Sequence, residues 1–187
     1  MKTFFTFKNE VFSHLVITFF YFFTVSVFRL KLDINLVLIW LGGLLGAYFL
    51  DIDHLIYWFV THPEREDSKQ AKILFEENNW GGLYRLLTVS HSSHTRLVFH
   101  TVLSQIVLLI LAFYILSSGG SLFASAFIMS INLHLLKDEW WQYLQGARAS
   151  LADWLFWQVR GIATEKYLAF YLAAVTIIFG GLTALLR

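Results

Sequence analysis

The element Asp51-Ile52-Asp53-His54 places two carboxylates and an imidazole at the end of an apolar run, Ile34–Leu50, that contains no charged residue. Removing such ionisable groups from water costs on the order of several kcal/mol, so they require a partner, water or a metal ion. The chain has no cysteine, which excludes disulfides and thiolate metal sites. Any metal ion would therefore be held by His, Asp, Glu, backbone or water.

Histidines near the ends of three other apolar runs extend this group of candidates. If the runs cross a membrane, all but one of the seven histidines lie near the same membrane face. His134 and Asp138 are four residues apart, so they can share a helix face. Asp51 and His54, three apart, can do the same. In a regular helix Asp53 would not lie on that face. It would then either support the ligands or lie where the helix ends.

The candidate metal ligands are eight in number, enough for two ions at about three protein ligands each. They are His14, Asp51, Asp53, His54, His94, His100, His134 and Asp138. Asp53 and His94 are also expected to take part in catalysis. His and Asp ligation suits zinc, manganese or iron. Two divalent ions against three Asp leave about one surplus positive charge, which would attract a phosphoester, and water bound to such ions becomes hydroxide near neutral pH.

The spacing of His91, His94 and His100 raises a question of backbone geometry. His94 and His100 are six residues apart, so they share a site only if the chain bends between them. Ser90–Thr95 is polar and Ser-rich, which favours a bend because such side chains compete for backbone hydrogen bonds. With the bend, His91 is dispensable. An unbroken helix would instead put His91 and His94 on one face and turn His100 away.

The composition is that of a membrane protein. The chain is 57% hydrophobic and 14% charged, with a mean hydropathy of +0.60. Soluble domains are typically about 45–50% apolar and about 25% charged. The formal net charge of +1 offers no basic surface for a polyanion, so nucleic acid is not an expected partner.

Five apolar runs are long enough, or nearly so, to cross about 30 Å of hydrocarbon as helices. They are Val11–Phe28, Ile34–Leu50 (which could continue to Val60), Leu97–Leu116, Leu122–Leu136 and Tyr167–Leu186. Five crossings put the N-terminus and the two long polar segments, Thr61–Arg96 and Lys137–Lys166, on one side. That side carries 11 of the 14 basic residues, so the positive-inside rule makes it cytoplasmic. We expect a single all-α membrane-embedded domain, residues 1–187, with its metal site at the cytoplasmic face.

The polar segments contain further predicted helices. Glu64–Asn78, after Pro63, has mixed charge and is typical of a solvated helix that Trp80-Gly81-Gly82 then ends. Leu151–Val159 alternates Leu and Trp with polar residues, which indicates an amphipathic segment lying in the membrane interface.

These elements resemble the bacterial and archaeal family of membrane-bound metal-dependent hydrolases, which are small inner-membrane proteins. Phe12-Ser13-His14-Leu15 resembles that family's early His element. Leu50-Asp51-Ile52-Asp53-His54 matches its Pro-Asp-Ile-Asp-His element apart from the first residue, and His134-Leu135-Leu136-Lys137-Asp138 matches its His-x-x-x-Asp element. The His-Arg-Gly-x-Thr-His-Ser element is degenerate: His94-Thr95-Arg96-Leu97-Val98-Phe99-His100 keeps both imidazoles with one extra residue and no Gly.

The resemblance implies a multi-pass inner-membrane hydrolase that depends on divalent metal ions. With the charge argument, it predicts hydrolysis of a phosphoester in a lipid-like or amphiphilic substrate at the cytoplasmic face. The alternative is a non-catalytic membrane protein whose metal site is structural or conducts ions. A closed four-ligand site with no position for water would favour that alternative.

Overall fold

The computed structural model describes residues 7–29, 33–159 and 164–186, and these form helices and connecting loops with no strand among them. Part of the predicted turn Arg29–Asp33 lies outside the described residues. The same holds for Arg160, within the second polar segment, and for the terminal residues Lys2 and Arg187. The all-helical prediction is confirmed for the described part of the chain.

The helices vary in length from a single turn to 23 residues. In chain order they are α1 (Phe7–Arg29), α2 (Ile34–Phe49), α3 (Ile52–Ile56), α4 (Glu66–Glu76), α5 (Trp80–Ser90), α6 (Val102–Ser117), α7 (Leu122–Leu144), α8 (Arg148–Phe156) and α9 (Thr164–Leu185). A π-helical turn, Tyr57–Thr61, extends α3, and a 3₁₀ turn, His91–Ser93, extends α5.

Three helical stretches in the described residues are long and apolar enough to cross a membrane. They are Phe12–Arg29, Ile34–Thr61 and Glu165–Leu185. Many of their large apolar side chains are exposed, as lipid-facing groups would be. Helix α6 is apolar but has only 16 residues, because the backbone before it is irregular. These helices indicate a membrane protein.

Helix α7 is the central element of the bundle. Its buried residues run from Ser125 to Glu139 and include polar ones. It packs most extensively against α2, with α1, α6 and α9 around it. Its neighbours thus surround α7, so the charged residues of its last turns can lie inside the bundle.

Helices α2 and α7 approach unusually closely because two glycines of α2 face the α7 backbone. A Cβ built on Gly42 would overlap the carbonyl oxygen of Phe123, and one on Gly46 would overlap that of Phe127. Glycines four residues apart allow such contact between membrane helices. Ser130 then donates a hydrogen bond of 2.6 Å to the Gly43 carbonyl oxygen.

The helix that begins with α2 changes its winding where the Asp-Ile-Asp-His element lies. The Asp51 amide donates to the Tyr48 carbonyl, and the Asp53 amide donates to that of Leu50, both i→i−3 bonds. The tightened turn separates α2 from α3. The π-helical turn follows, and such irregular turns are frequent at functional sites.

The two polar segments fold against the bundle. The predicted solvated helix is confirmed as α4, but Trp80-Gly81-Gly82 begins α5 rather than only ending α4. The reason is an N-cap: the Asn79 side chain accepts a hydrogen bond of 2.9 Å from the Gly82 amide. Helix α8 overlaps the predicted amphipathic segment, but it begins at Arg148 and ends at Phe156 rather than spanning Leu151–Val159. Its buried Leu151 and Leu155 form a cluster with Leu168 of α9.

The glycine contact yields a stability prediction. Gly46→Ala should lower the free energy of unfolding in detergent by roughly 1–3 kcal/mol, because the new methyl group forces α2 away from α7. Gly180→Ala is the matched control, since a Cβ there meets no atom within 4 Å. Thermal unfolding followed by circular dichroism checks both. Equal unfolding temperatures for the two variants would contradict the close contact.

Candidate metal centre

Side chains from five parts of the chain converge where α2 ends. They come from α1, the α2–α3 turn and α3, the end of α5 with its 3₁₀ turn, the irregular loop before α6, and the last turns of α7. Two groups of three could each hold a metal ion, with ligand atoms within 4.8 Å of one another. The groups are His14, His134 and Asp138, and Asp51, His54 and His91.

The first group is organised around the carboxylate of Asp138. One oxygen, Oδ1, lies 3.2 Å from His14 Nε2, and Oδ2 lies 3.2 Å from His134 Nε2. The two imidazoles stack with their ring centres 3.7 Å apart. His134 Nδ1 donates to the Ala47 carbonyl oxygen at 2.7 Å, which leaves Nε2 as the ligand atom. A carbonyl partner of this kind orients metal-binding histidines in many proteins.

The second group is joined to the first through Asp51. Its Oδ1 lies 4.0 Å from His134 Nε2, so its carboxylate stands between the two groups. The rings of His54 and His91 have centres 4.2 Å apart. Burial lowers the pKa of His91 to about 4, so this imidazole is neutral at pH 7. A neutral imidazole can act as a metal ligand.

His100 lies near both groups and is held by Asp53. Its ring centre is 5.8 Å from that of His134 and 6.2 Å from that of His54. Its Nδ1 donates to Asp53 Oδ2 at 3.0 Å, which leaves Nε2 able to bind a metal. The Asp53 carboxylate also accepts from the amides of Val98, Phe99 and His100. Asp53 is fully buried, and its contacts position His100 and the loop around it.

His94 is engaged at both ring nitrogens. Its Nε2 donates to Asp67 Oδ2 at 2.9 Å, and its Nδ1 lies 2.8 Å from His54 Nδ1. If Nε2 carries the proton, Nδ1 accepts from His54, and Nε2 of His54 is left for a metal ion. The result is a chain of hydrogen bonds from Asp67 through His94 to His54.

The pKa shifts of His94 and Asp67, two residues outside the membrane-spanning helices, agree with this hydrogen-bond chain. Burial lowers the pKa of His94, and the Asp67 carboxylate only partly opposes this effect. Burial raises the pKa of Asp67, but hydrogen bonds from His94, Arg65 and Trp58 outweigh it, so the net pKa lies below its usual value. Asp67 is therefore an anion and His94 a neutral imidazole at pH 7, as the hydrogen-bond chain requires.

The predicted bend between His94 and His100 is confirmed: residues 94–101 form no helix, and α6 begins at Val102. The bend brings His100 near both groups. His91, which the bend was expected to make dispensable, lies in the second group, whereas His94 contacts that group through His54. His62 lies apart and stacks on Tyr57.

Two residues of the centre were not among the sequence candidates. Asp67 belongs to the mixed-charge helix α4, where nothing in the sequence separates it from its acidic neighbours. Lys137 precedes Asp138 directly, and its Nζ donates to Asp138 Oδ1 at 2.9 Å and to His14 Nε2 at 3.0 Å. Its place inside the His-x-x-x-Asp element was the available signal, although from sequence this lysine enters only the count of basic residues that predicts the orientation.

A cavity of about 280 Å³ adjoins both groups. Its lining includes His54, His91, His94, His100 and Asp138. Residues of α7, α8 and the turn between them also line it, among them Trp141, Gln142, Gln145, Ser150 and Trp154. The centre thus has room beside it for a molecule larger than water.

Comparison with known proteins does not extend this description. No family model matches the chain, and neither does any curated protein or solved structure.

The hydrogen-bond chain predicts an effect on metal affinity. Asp67→Ala should weaken binding of Zn²⁺ or Mn²⁺ about 10–100-fold, because His94 and then His54 lose their orientation. Glu66→Ala is the control on the same helix, since Glu66 is exposed and contacts only Lys69 among the ion pairs of the described residues. Competition with a chromogenic chelator measures both affinities. An unchanged affinity in Asp67→Ala would show that the chain does not support the ligands.

Proposed function

We propose that this protein is a membrane-embedded, metal-dependent hydrolase. Its proposed substrate is a phosphoester in a lipid-like or amphiphilic molecule. The observation that carries the proposal is the pair of His and Asp groups, linked by Asp51 and bordered by a cavity. A catalytic metal site needs an open position for water or substrate beside its protein ligands, and the cavity offers one.

The ligand atoms fit a divalent ion by their chemistry. Neutral imidazoles and carboxylates suit zinc, manganese or iron. Such an ion supplies Lewis acidity and lowers the pKa of bound water. The residues of the two groups would hold it, with His100 as a further ligand. Among the two residues assigned to catalysis from sequence, His94 lines the cavity, whereas Asp53 acts by holding His100 in place.

The cavity also supports an amphiphilic substrate. Trp141 and Trp154 give the cavity apolar surface, and Gln142, Gln145 and Ser150 give it hydrogen-bonding groups. Ligand sites commonly combine apolar walls with a few polar groups that fix orientation. A headgroup held there would have its apolar chains beside the lipid-facing helices.

The resemblance to the membrane-bound metal-dependent hydrolases supports the reaction class. It rests on His14, the Asp51-Ile52-Asp53-His54 element and the His134-to-Asp138 element. The third element departs from that family's spacing. The loop over residues 94–101 accommodates the extra residue, because it brings His100 close to His134 and His54.

We further propose five membrane crossings in the inner membrane, formed by α1, the α2–α3 helix, α6, α7 and α9. The N-terminus and both polar segments would be cytoplasmic, and so would the metal centre. The excess of basic residues in those segments supports this orientation. The burial of α7 by its neighbours supports its crossing despite the charges in its last turns.

The metal centre yields a loading prediction. Wild-type protein in detergent should carry one or two transition-metal ions per chain, and Asp51→Ala combined with Asp138→Ala should carry none, because each metal-binding group loses its carboxylate. Inductively coupled plasma mass spectrometry measures the content. Membrane insertion of the double variant is the control. Unchanged metal content in the double variant would refute the assignment.

Activity is tested on the same preparations. The metal-loaded wild type should hydrolyse a phosphodiester or phosphomonoester presented in mixed micelles, lose the activity to a chelator and regain it with metal. The double variant should be inactive. Bound metal without any hydrolysis, with unfolding when the metal is removed, would instead favour a structural site.

The orientation predicts a labelling pattern. Because the chain has no cysteine, single cysteines can be introduced without background. Gln70→Cys suits the first polar segment, since Gln70 is exposed whereas Ser68 nearby is buried. A membrane-impermeant maleimide should label Ser118→Cys in intact cells but Gln70→Cys only after lysis. Labelling of Gln70→Cys in intact cells would contradict the proposed orientation.

A further inference from the structure

The first group of ligands already contains a cation, the ammonium of Lys137. Its Nζ lies 3.0 Å from His14 Nε2 and 2.9 Å from Asp138 Oδ1. The same two ligand atoms are 3.2 Å from each other. The Lys137 side chain is only 7% exposed, so this ammonium is enclosed by its partners. A buried charge of this kind is stable only when paired, and here Asp138 provides the pair.

The ammonium and a divalent ion compete for the same atoms. A metal ion would bind His14 and Asp138 at about 2.0–2.2 Å, through the lone pairs that now accept hydrogen bonds from Lys137. Placing a divalent charge within a few ångströms of an enclosed ammonium is also repulsive. The first group can therefore take a metal ion only if Lys137 leaves.

The second group offers a more accessible position. The ligand atoms of Asp51, His54 and His91 lie within 4.8 Å of one another. His54 and His91 line the cavity, which gives an ion a route of entry. The hydrogen bond between His54 and His94 helps to orient the His54 imidazole in this group.

We propose that Lys137 is a built-in cation that takes the place of a second metal ion, so that the protein binds one divalent ion, at Asp51, His54 and His91. This inference rests on the proposed function and refines its metal content. The ammonium and one divalent ion together carry three positive charges, which balance the three carboxylates of Asp51, Asp53 and Asp138 without a second metal ion. An anionic phosphoester would then meet a centre that carries no net negative charge.

The test counts bound metal in the full-length protein, purified in detergent and equilibrated with Zn²⁺ or, separately, Mn²⁺. Wild type should bind about one ion per chain, and Lys137→Met about two, because the vacated ligands of the first group become available. Lys137→Arg keeps a cation and should stay at about one. Lys72→Met, at an exposed lysine of α4, should also stay at about one.

A double variant locates the additional ion. Lys137→Met combined with His14→Ala should return to about one ion per chain, since the first group then lacks a ligand. Two ions in wild type, or one ion in a folded Lys137→Met protein, would overturn the inference. The wild-type count decides even if Lys137→Met does not fold. No bound metal in wild type would instead refute the proposed metal centre itself, so the two failures are distinguishable.

Discussion

The close contact between α2 and α7 is the constraint on which the candidate metal centre depends. Gly42 and Gly46 let the two backbones meet, so no side chain separates them. Cross-helix hydrogen bonds then fix the register, from Ser130 to Gly43 and from His134 to Ala47. Because Asp51 follows directly on the end of α2, this register sets its carboxylate beside His134 and Asp138. A larger distance between α2 and α7 would move Asp51 and the second metal-binding group away from the first.

The interior of the bundle contains many polar groups, and specific partners compensate for their burial. The loop over residues 94–101 shows how. The amides of Val98, Phe99 and His100 are partly or fully buried, and an unpaired buried N–H group costs about 1–3 kcal/mol. Asp53 accepts hydrogen bonds from these three N–H groups and from the imidazole of His100. One carboxylate thus holds an irregular loop and a candidate ligand in place at once.

The carboxylates at this site need cations close to them, and the fold determines which cations can approach. The carboxylates of Asp51, in the α2–α3 turn, and of Asp138, in α7, both lie within 4.0 Å of His134 Nε2, and cations must balance them. Lys137 supplies one cation from the protein itself, and a divalent ion in the second group would supply the rest. The cavity leaves space beside these residues, which a catalytic metal site needs and a closed structural site lacks. Trp154 and the polar residues of α7 and α8 shape that space.

The sequence alone determined the helical class, the membrane character and the convergence of Asp51, His54, His134 and Asp138, because hydropathy and helical spacing are local properties. It also indicated the bend before α6 from the Ser-rich stretch. Only the tertiary structure decided which atoms meet. The His94–Asp67 hydrogen bond joins residues 27 apart, the His54–His94 contact 40 apart, and the Lys137–His14 contact 123 apart. Such pairings follow from helix packing and from the path of a loop, which spacing along the chain does not encode.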